Sequence, residues 1–361
     1  MGSGIVGWGS SFGVKSRRCC WRGWAVALSV LLIGAACSQD VSGPPPEDDP
    51  GADDGSSASN DCEGATGTAQ DDRCFLSVSS GGAHACAIAG SGSVLCWGDD
   101  AVGQSTPPPG SFTQVSAGLR HSCAIAEDGS LQCWGAGAGE ADGLCGFVDD
   151  IWYEDCGQAS PPSGTFIHVS AGGWHSCAVS SAGDVQCWGA DNGMEEDRGQ
   201  VTGRPTGTGF VEVAAGWRHS CGLEASGEVQ CWGHDNYGQS SPPSGPFRQL
   251  SAGGWHTCGL QEDDALRCWG VDNGAGEDWG QVGDIAAGVT AAQVTASAWT
   301  TCVLGEEGDV QCWGADWAGQ STPPALEFVA VSAGHNHTCA IDSVKALHCW
   351  GNDGSGQVTP P

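Results

Sequence analysis

The chain of 361 residues carries 43 acidic against 12 basic side chains, with 60 Gly, 17 Trp and 21 Cys. A formal charge of −31 argues against a nucleic-acid scaffold, which needs Lys and Arg to displace counterions from phosphates. One Gly in six beside only two Met excludes a long-helix bundle and points to many tight turns, and so many cysteines are read as disulfides of an exported protein.

The first element is a leader. Lys15, Arg17, Arg18 and Arg22 precede an uncharged, mostly apolar stretch over residues 24–36, too short to span a bilayer core of ~30 Å comfortably as a helix. It ends Ile33-Gly34-Ala35-Ala36-Cys37, which resembles the lipobox of bacterial lipoproteins, with Gly34 in place of the usual aliphatic residue. Residues 1–36 are therefore expected to be a lipoprotein-type signal peptide and Cys37 the lipid attachment site, the alternative being a secreted protein. Without the leader the remainder carries −35. Residues 37–74 are rich in Pro, Gly, Ser and Asp without periodic apolar positions, as an acidic tether should be.

The rest, residues 75–361, is a repeat array. Pairs spaced C-x9-C and followed by W-G occur seven times: Cys86/Cys96, Cys123/Cys133, Cys177/Cys187, Cys221/Cys231, Cys258/Cys268, Cys302/Cys312 and Cys339/Cys349. Successive units are offset by 37, 54, 44, 37, 44 and 37 residues, a base period of 37 interrupted by three insertions, all placed in the loop that follows W-G. So short a period means one supersecondary unit per repeat, stable only against its neighbours. In the second unit the pattern predicts strands over Phe112–Ala117, His121–Ala126 and Ser130–Trp134, with a turn at Glu127–Gly129 that sets Cys123 opposite Cys133. Gln-x-[ST]-Pro-Pro is expected to add a short edge strand. Both faces of the hairpin are apolar or small, so each sheet must be covered on both sides. Seven such sheets close into a ring: an all-β, disulfide-rich, seven-bladed β-propeller.

The segments A-G-x-x-H-[ST]-C-A-[IVL] and C-W-G-x-D-x-x-G-Q resemble the repeats of the regulator of chromosome condensation, the RCC1-like propellers. The ending W-G-x-D-x-x-G-Q-x-[ST]-x-P is most similar to a bacterial exported branch that includes a propeller-type β-lactamase inhibitor protein. The resemblance implies the propeller fold and, in the inhibitor branch, a partner gripped by aromatic residues of the top loops. The nucleotide-exchange activity of the eukaryotic name-giver does not fit an exported chain of this charge.

Strand order puts the A-G-x-x-H loop and the W-G-x-D-x-x-G-Q loop on one face, where the least uniform residues gather. Arg120, Trp174, Trp217, Arg218, Trp255 and Trp299 are candidate partner contacts, since Trp and Arg dominate binding hot spots. The longest insertion, Gly137–Gly157, adds Phe147, Trp152 and Tyr153, and a Cys145–Cys156 disulfide would stiffen it. Cys62 and Cys74 complete an even set. In the two short insertions Asp191, Glu195, Asp197, Asp272, Glu277 and Asp278 offer weak calcium candidates; no other metal or cofactor is implied. The histidines two residues before the first Cys of six units (His84, His121, His175, His219, His256, His337) are read as structural hydrogen-bonders. With no nucleophile elbow, zincin motif or phosphate loop, the expectation is a non-enzymatic, monomeric propeller on the bacterial outer membrane or cell surface. It would touch the membrane only through its lipid and bind a protein, not nucleic acid, through the loop face carrying Trp174, Trp255, Trp299 and the insertion. The alternative is a lectin-like carbohydrate-binding propeller with calcium assistance.

Overall fold

The computed structural model describes residues 74–138, 146–148, 151–153, 155–193, 196–274 and 276–361. The leader, Cys37, the tether as far as residue 73, Cys62, Cys145 and Glu195 lie outside the described residues. Seven antiparallel three-stranded sheets follow one another at residues 75–98, 112–135, 166–189, 210–233, 247–270, 293–314 and 328–351. They are the blades of an all-β, seven-bladed propeller.

The second blade shows why the pattern folds this way. Its strands are Phe112–Ala117, His121–Ala126 and Leu131–Gly135, the third starting one residue later than the pattern predicts. Gly129 supplies the positive φ of the turn (81°), and the register pairs Cys123 with Cys133.

All seven C-x9-C pairs are bonded across their hairpins: Cys86–Cys96, Cys123–Cys133, Cys177–Cys187, Cys221–Cys231, Cys258–Cys268, Cys302–Cys312 and Cys339–Cys349. Each is worth roughly 2–3 kcal/mol through restriction of the unfolded chain. The two ends of a bridge are not equivalent, which the repeat pattern did not anticipate. The first Cys of every pair lies on the middle strand and is completely buried. Cys96, Cys133, Cys187, Cys231, Cys268, Cys312 and Cys349 lie on the third strand, at the blade's edge, and are only half-buried. Each still packs against a core cluster between two blades. Cys74 and Cys156 are disulfide-bonded as well; their expected partners are outside the described residues. So many bridges belong to an oxidising environment.

The middle strand of each blade is covered on both sides, and the core lies between blades. Cys86, Ile88 and Val94 of the first blade pack on Phe112, Val115, Ala124 and Trp134 of the second. The same pairing recurs around the ring and closes it, with Cys339 and Ile341 of the seventh blade against Phe75, Ala85, Ala87 and Trp97 of the first.

Two further features depart from the sequence expectation. The Gln-x-[ST]-Pro-Pro segment is not a strand in any blade. It crosses to the next blade instead, where the Gln carbonyl receives the indole N–H: Trp134 Nε1 donates to Gln104 O (2.9 Å), and Trp97 Nε1 donates to Gln357 O (2.9 Å), so the last residues latch onto the first blade. Its Pro pair removes N–H donors that a ladder would need. The second departure is a bulge after the Phe that opens the first strand of six blades. It turns Phe112, Val115 and Ala117 into the core, where strict alternation would have put Phe112 on the side of Gln114 and Ser116. The bulged residues face solvent, which accounts for exposed Leu76, Ile167, Val211 and Val329.

Hydrogen bonds lace neighbouring blades. His121 Nε2 meets Ser176 Oγ (2.7 Å) and Ser176 Oγ donates to Gln158 O (2.9 Å). The hydroxyl has spent its hydrogen, so the imidazole donates from Nε2, and with no acceptor at Nδ1 the buried ring is neutral. His84, His175, His219 and His256 meet Ser122, Ser220, Thr257 and Thr301 of the following blades in the same way. The seventh junction is the exception, because His337 faces the position held by Ala85 and its Nε2 is without a partner. Burial pushes these six rings down to about 3 or 4.

Along the axis the first strands enclose a polar cavity of about 270 Å³. Gln114, Gln249 and Gln293 each reach across to the next blade. Gln249 Oε1 accepts from Val294 N (3.1 Å) and its Nε2 donates to Val294 O (3.3 Å). In the fourth blade this position is Glu212, whose Oε1 accepts from Leu250 N (2.9 Å).

Candidate functional site

The two loop sets share one face because they bond to each other. Ala136 N donates to Arg120 O (2.9 Å), His234 N to Arg218 O (2.8 Å), Val271 N to Trp255 O (3.0 Å) and Ala315 N to Trp299 O (2.9 Å). Close backbone approach requires the motif glycines. A Cβ on Gly118 would lie 2.5 Å from Gly172 O, and one on Gly135, whose φ is 97°, would lie 2.7 Å from Arg120 O. Inside the second loop the buried Gln organises the turn, its Oε1 accepting from Trp279 N in the fifth blade (2.7 Å).

On this face the fourth to seventh blades build a ridge of rings. Trp217 touches Trp255 (centroids 5.6 Å), Trp299 (5.3 Å) and His335 (5.5 Å), all edge-on. Trp299 continues to Trp317 (5.3 Å), and Trp317 to Trp279 (5.2 Å); Tyr237 packs on Trp255 (5.6 Å). Such edge-to-face pairs gain about 0.5–1.5 kcal/mol beyond burial. The inner rings are half-buried, while Trp279 and Trp317 stand out with 50% and 51% of their surface exposed. Burial holds the neighbouring His335 at about 4, so it is neutral at pH 7.

The candidates therefore separate. Trp217, Arg218, Trp255 and Trp299 come together. Trp174 does not join them: it is 8% exposed and packs with Cys156 and Ala190 at the base of the long insertion. Arg120 is half-buried in the second blade. In the long insertion Gly146–Val148 pairs with Ile151–Tyr153, with Phe147 opposite Trp152 and Gly146 opposite Tyr153. The hairpin disulfides take no part in the ridge; they sit within the blades. Tyr237, Trp279, Trp317 and His335 were missed. The first three occupy the variable positions of D-x-x-G-Q, where an aromatic residue replacing Ala or Ser was the available signal.

The two short insertions act as struts for this ridge. Five of their seven extra residues precede Gly-Gln and two follow it, so the insertion is split rather than confined to the loop. Each delivers a glutamate to the next blade's first loop. Glu196 is fully buried and receives Arg218 through both Nε (2.6 Å) and Nη2 (2.7 Å); Arg218 in turn lies over Trp255, 5.9 Å from its centroid. Glu277 Oε2 accepts from Trp299 Nε1 (2.7 Å). Two of the other calcium candidates are used by their own turns. Asp197 accepts from Gly193 N and Gly199 N, and Asp278 from Gly274 N and Gly280 N, which holds the Asp278 carboxyl below its usual range. Asp191 and Asp272 are exposed. Among the described residues no three His, Cys, Asp or Glu side chains converge on a metal position.

Arg218→Ala should cost about 2–3 kcal/mol in denaturant unfolding, because it strands a buried carboxylate. Adding Glu196→Gln should restore most of that loss. A double variant no more stable than Arg218→Ala would show that the strut does not hold the loop.

The repeats match the family model of the regulator of chromosome condensation (RCC1) repeat at residues 75–104, 112–138, 166–200, 210–239, 247–277 and 328–357, just over half of the chain. The chain belongs to the RCC1 repeat family. Among solved structures, the ectodomain of the Physcomitrella patens receptor kinase CR4 is 24% identical with a TM-score of 0.58, covering 77% of this chain and 73% of that one. The CRINKLY WD40 ectodomain of the Arabidopsis thaliana receptor kinase ACR4 is 20% identical with a TM-score of 0.60, covering 80% and 99%. Human WBSCR16 is 17% identical with a TM-score of 0.55, covering 74% and 86%. At these identities the likeness is one of fold. No curated protein matches the sequence. RCC1-like propellers typically mediate protein interactions and are generally non-enzymatic.

Proposed function

We propose that this propeller is a non-enzymatic interaction protein, held at the cell envelope by a lipid on Cys37 at the start of its tether, that binds a protein partner through the loop face of its fourth to seventh blades. The observation that carries the reading is the ridge. Trp279 and Trp317 are half exposed, yet they pack on each other and Trp317 is backed by Trp299, so less side-chain entropy remains to be lost on binding. Exposed Trp on a rigid base is the composition of a hot spot. The ridge is lopsided around the ring, which favours one protein epitope over a sugar site repeated from blade to blade.

The test is affinity capture with the oxidised full-length chain against a Trp279→Ala/Trp317→Ala variant, using envelope and culture-supernatant fractions. A protein partner should be retained by the wild type and weakened by about 30-fold or more in the variant, as the loss of ~2 kcal/mol at a hot spot requires. Equal capture by both proteins would place the binding face elsewhere, and Trp-dependent capture of glycans alone would establish the lectin reading.

A further inference from the structure

The chemistry of the partner follows from the charges around the ridge, and this inference rests on the loop-face reading. We propose that the ridge receives a cationic segment of the partner protein, with Arg or Lys side chains lying on the exposed rings of Trp279 and Trp317. From residue 234 onward no loop-face connection contains Lys or Arg. The three cations of that stretch lie toward the opposite, hairpin-turn side. Arg248 Nε donates to Asp264 in the fifth hairpin turn (2.8 Å), Arg267 is the second residue of the strand that leaves that turn, and Lys345 sits in the last turn at φ 67°. The loop face of the same blades carries Asp235, Asp272, Glu277, Asp278, Asp316 and Asp353.

Two of these carboxylates are fixed beside the exposed rings. Asp278 directly precedes Trp279 and is oriented by Gly274 N and Gly280 N. Asp316 directly precedes Trp317 and is oriented by Ser321 N (2.8 Å) and Thr322 Oγ1 (2.8 Å). A carboxylate oxygen can accept from more than one donor, so each can still meet an arriving cation. An indole face attracts a cation through its quadrupole, and a guanidinium can stack on the ring while pairing with a carboxylate. The molecule already contains one such arrangement, since Arg218 is held by Glu196 and lies over Trp255. An acidic partner would be repelled from this face. A neutral glycan would gain stacking and hydroxyl hydrogen bonds to the carboxylates but no charge attraction, so its binding would be indifferent to salt.

The experiment titrates the full-length oxidised protein calorimetrically with a short Arg-Ser repeat peptide, its Glu-Ser counterpart and chitohexaose. The Arg-Ser peptide should bind, the Glu-Ser peptide should not, and the affinity should fall about tenfold or more when salt is raised from about 50 to about 500 mM. Trp279→Ala and Trp317→Ala should each weaken binding about tenfold, and Asp316→Asn about threefold. Glu306→Gln/Glu307→Gln, which removes two exposed charges from the hairpin-turn face, should leave it unchanged. Equal loss in that control would mean diffuse charge attraction and overturn the proposal. So would Trp-dependent, salt-indifferent binding of chitohexaose, or failure of the Arg-Ser peptide to bind. If the peptide fails while Trp-dependent protein capture persists, the cationic chemistry alone falls; if capture also ignores Trp279 and Trp317, the loop-face reading falls with it.

Discussion

Acidification below pH 6.5 is expected to unfold the propeller, with its disulfides intact, well before most of its carboxylates take up protons. Six histidines are completely buried, and burial lowers each from 6.5 to about 3 or 4. Their folded values lie below the unfolded one, so the unfolded chain binds more protons in this window. The stability involved is fully present above pH 6.5 and is lost as pH falls toward 3 or 4. At about pH 5 each ring costs roughly 2 kcal/mol, and six together on the order of 10 kcal/mol, comparable to the whole stability of a domain. His168, which burial also holds at about 4, adds to the effect. The geometry gives the cause. In five of the six rings the Nε2 hydrogen already lies on the next blade's hydroxyl. Nδ1 has no acceptor in any of the six rings, so a second proton would be buried without a partner. Denaturant unfolding between about pH 7 and pH 5 should show a proton uptake approaching six per molecule, and the imidazole NMR signals of these six rings should not titrate near 6.5. A flat stability curve, or rings titrating normally, would sink the account.

The repeat made the blades readable in the sequence. C-x9-C fixed the hairpin register to the residue at Cys123 and Cys133, because cross-strand pairing leaves no freedom once the turn length is known. What the pattern could not show is what a residue does for the neighbouring blade. Gln-x-[ST]-Pro-Pro resembles an edge strand because its composition is that of one, but its Gln carbonyl serves an indole 30 residues further along the chain (Trp134 to Gln104). The bulge was hidden because F-x-x-V is neither alternating nor helical in so short a run. At the candidate site the loops could be placed on one face from strand order, but not the rings relative to one another. Trp174 and Trp255 occupy equivalent positions, yet one is buried beneath an insertion and the other lies in the ridge. Glu277 looks like a cation ligand in the sequence because acidic loops do, and Glu196 was not singled out beside its neighbour Glu195; only their closeness in space to Trp299 and Arg218 reveals struts.

Glu212→Gln is expected to stabilise the protein by about 2 kcal/mol near pH 8 and by little near pH 5. Glu212 occupies the position from which Gln114, Gln249 and Gln293 clip the following blade by one accepted and one donated bond. A carboxylate can copy only the accepted half and would turn its second oxygen toward an acceptor; a protonated carboxyl can copy both. Burial pushes Glu212 up from 4.5 to about 7, against the opposing pull of the Leu250 amide. Of the residues lining the axial cavity only His168 also ionises, and it is neutral here because burial holds it at about 4, so no cation offsets the charge. With the folded value above the unfolded one, the native state binds more protons between 4.5 and 7, and stability falls as pH rises through that range. The full shift corresponds to roughly 3 kcal/mol, reduced because the side chain opens on the cavity and is partly reached by water. Acting against the histidines, whose contribution still grows as pH rises through 6.5, Glu212 should flatten the wild-type rise in stability between about pH 6 and pH 8, and Glu212→Gln should restore the steeper rise. An equal gain at both pH values would assign the effect to packing, and a loss at pH 8 would mean that the ionised carboxylate is the form the ring was built around.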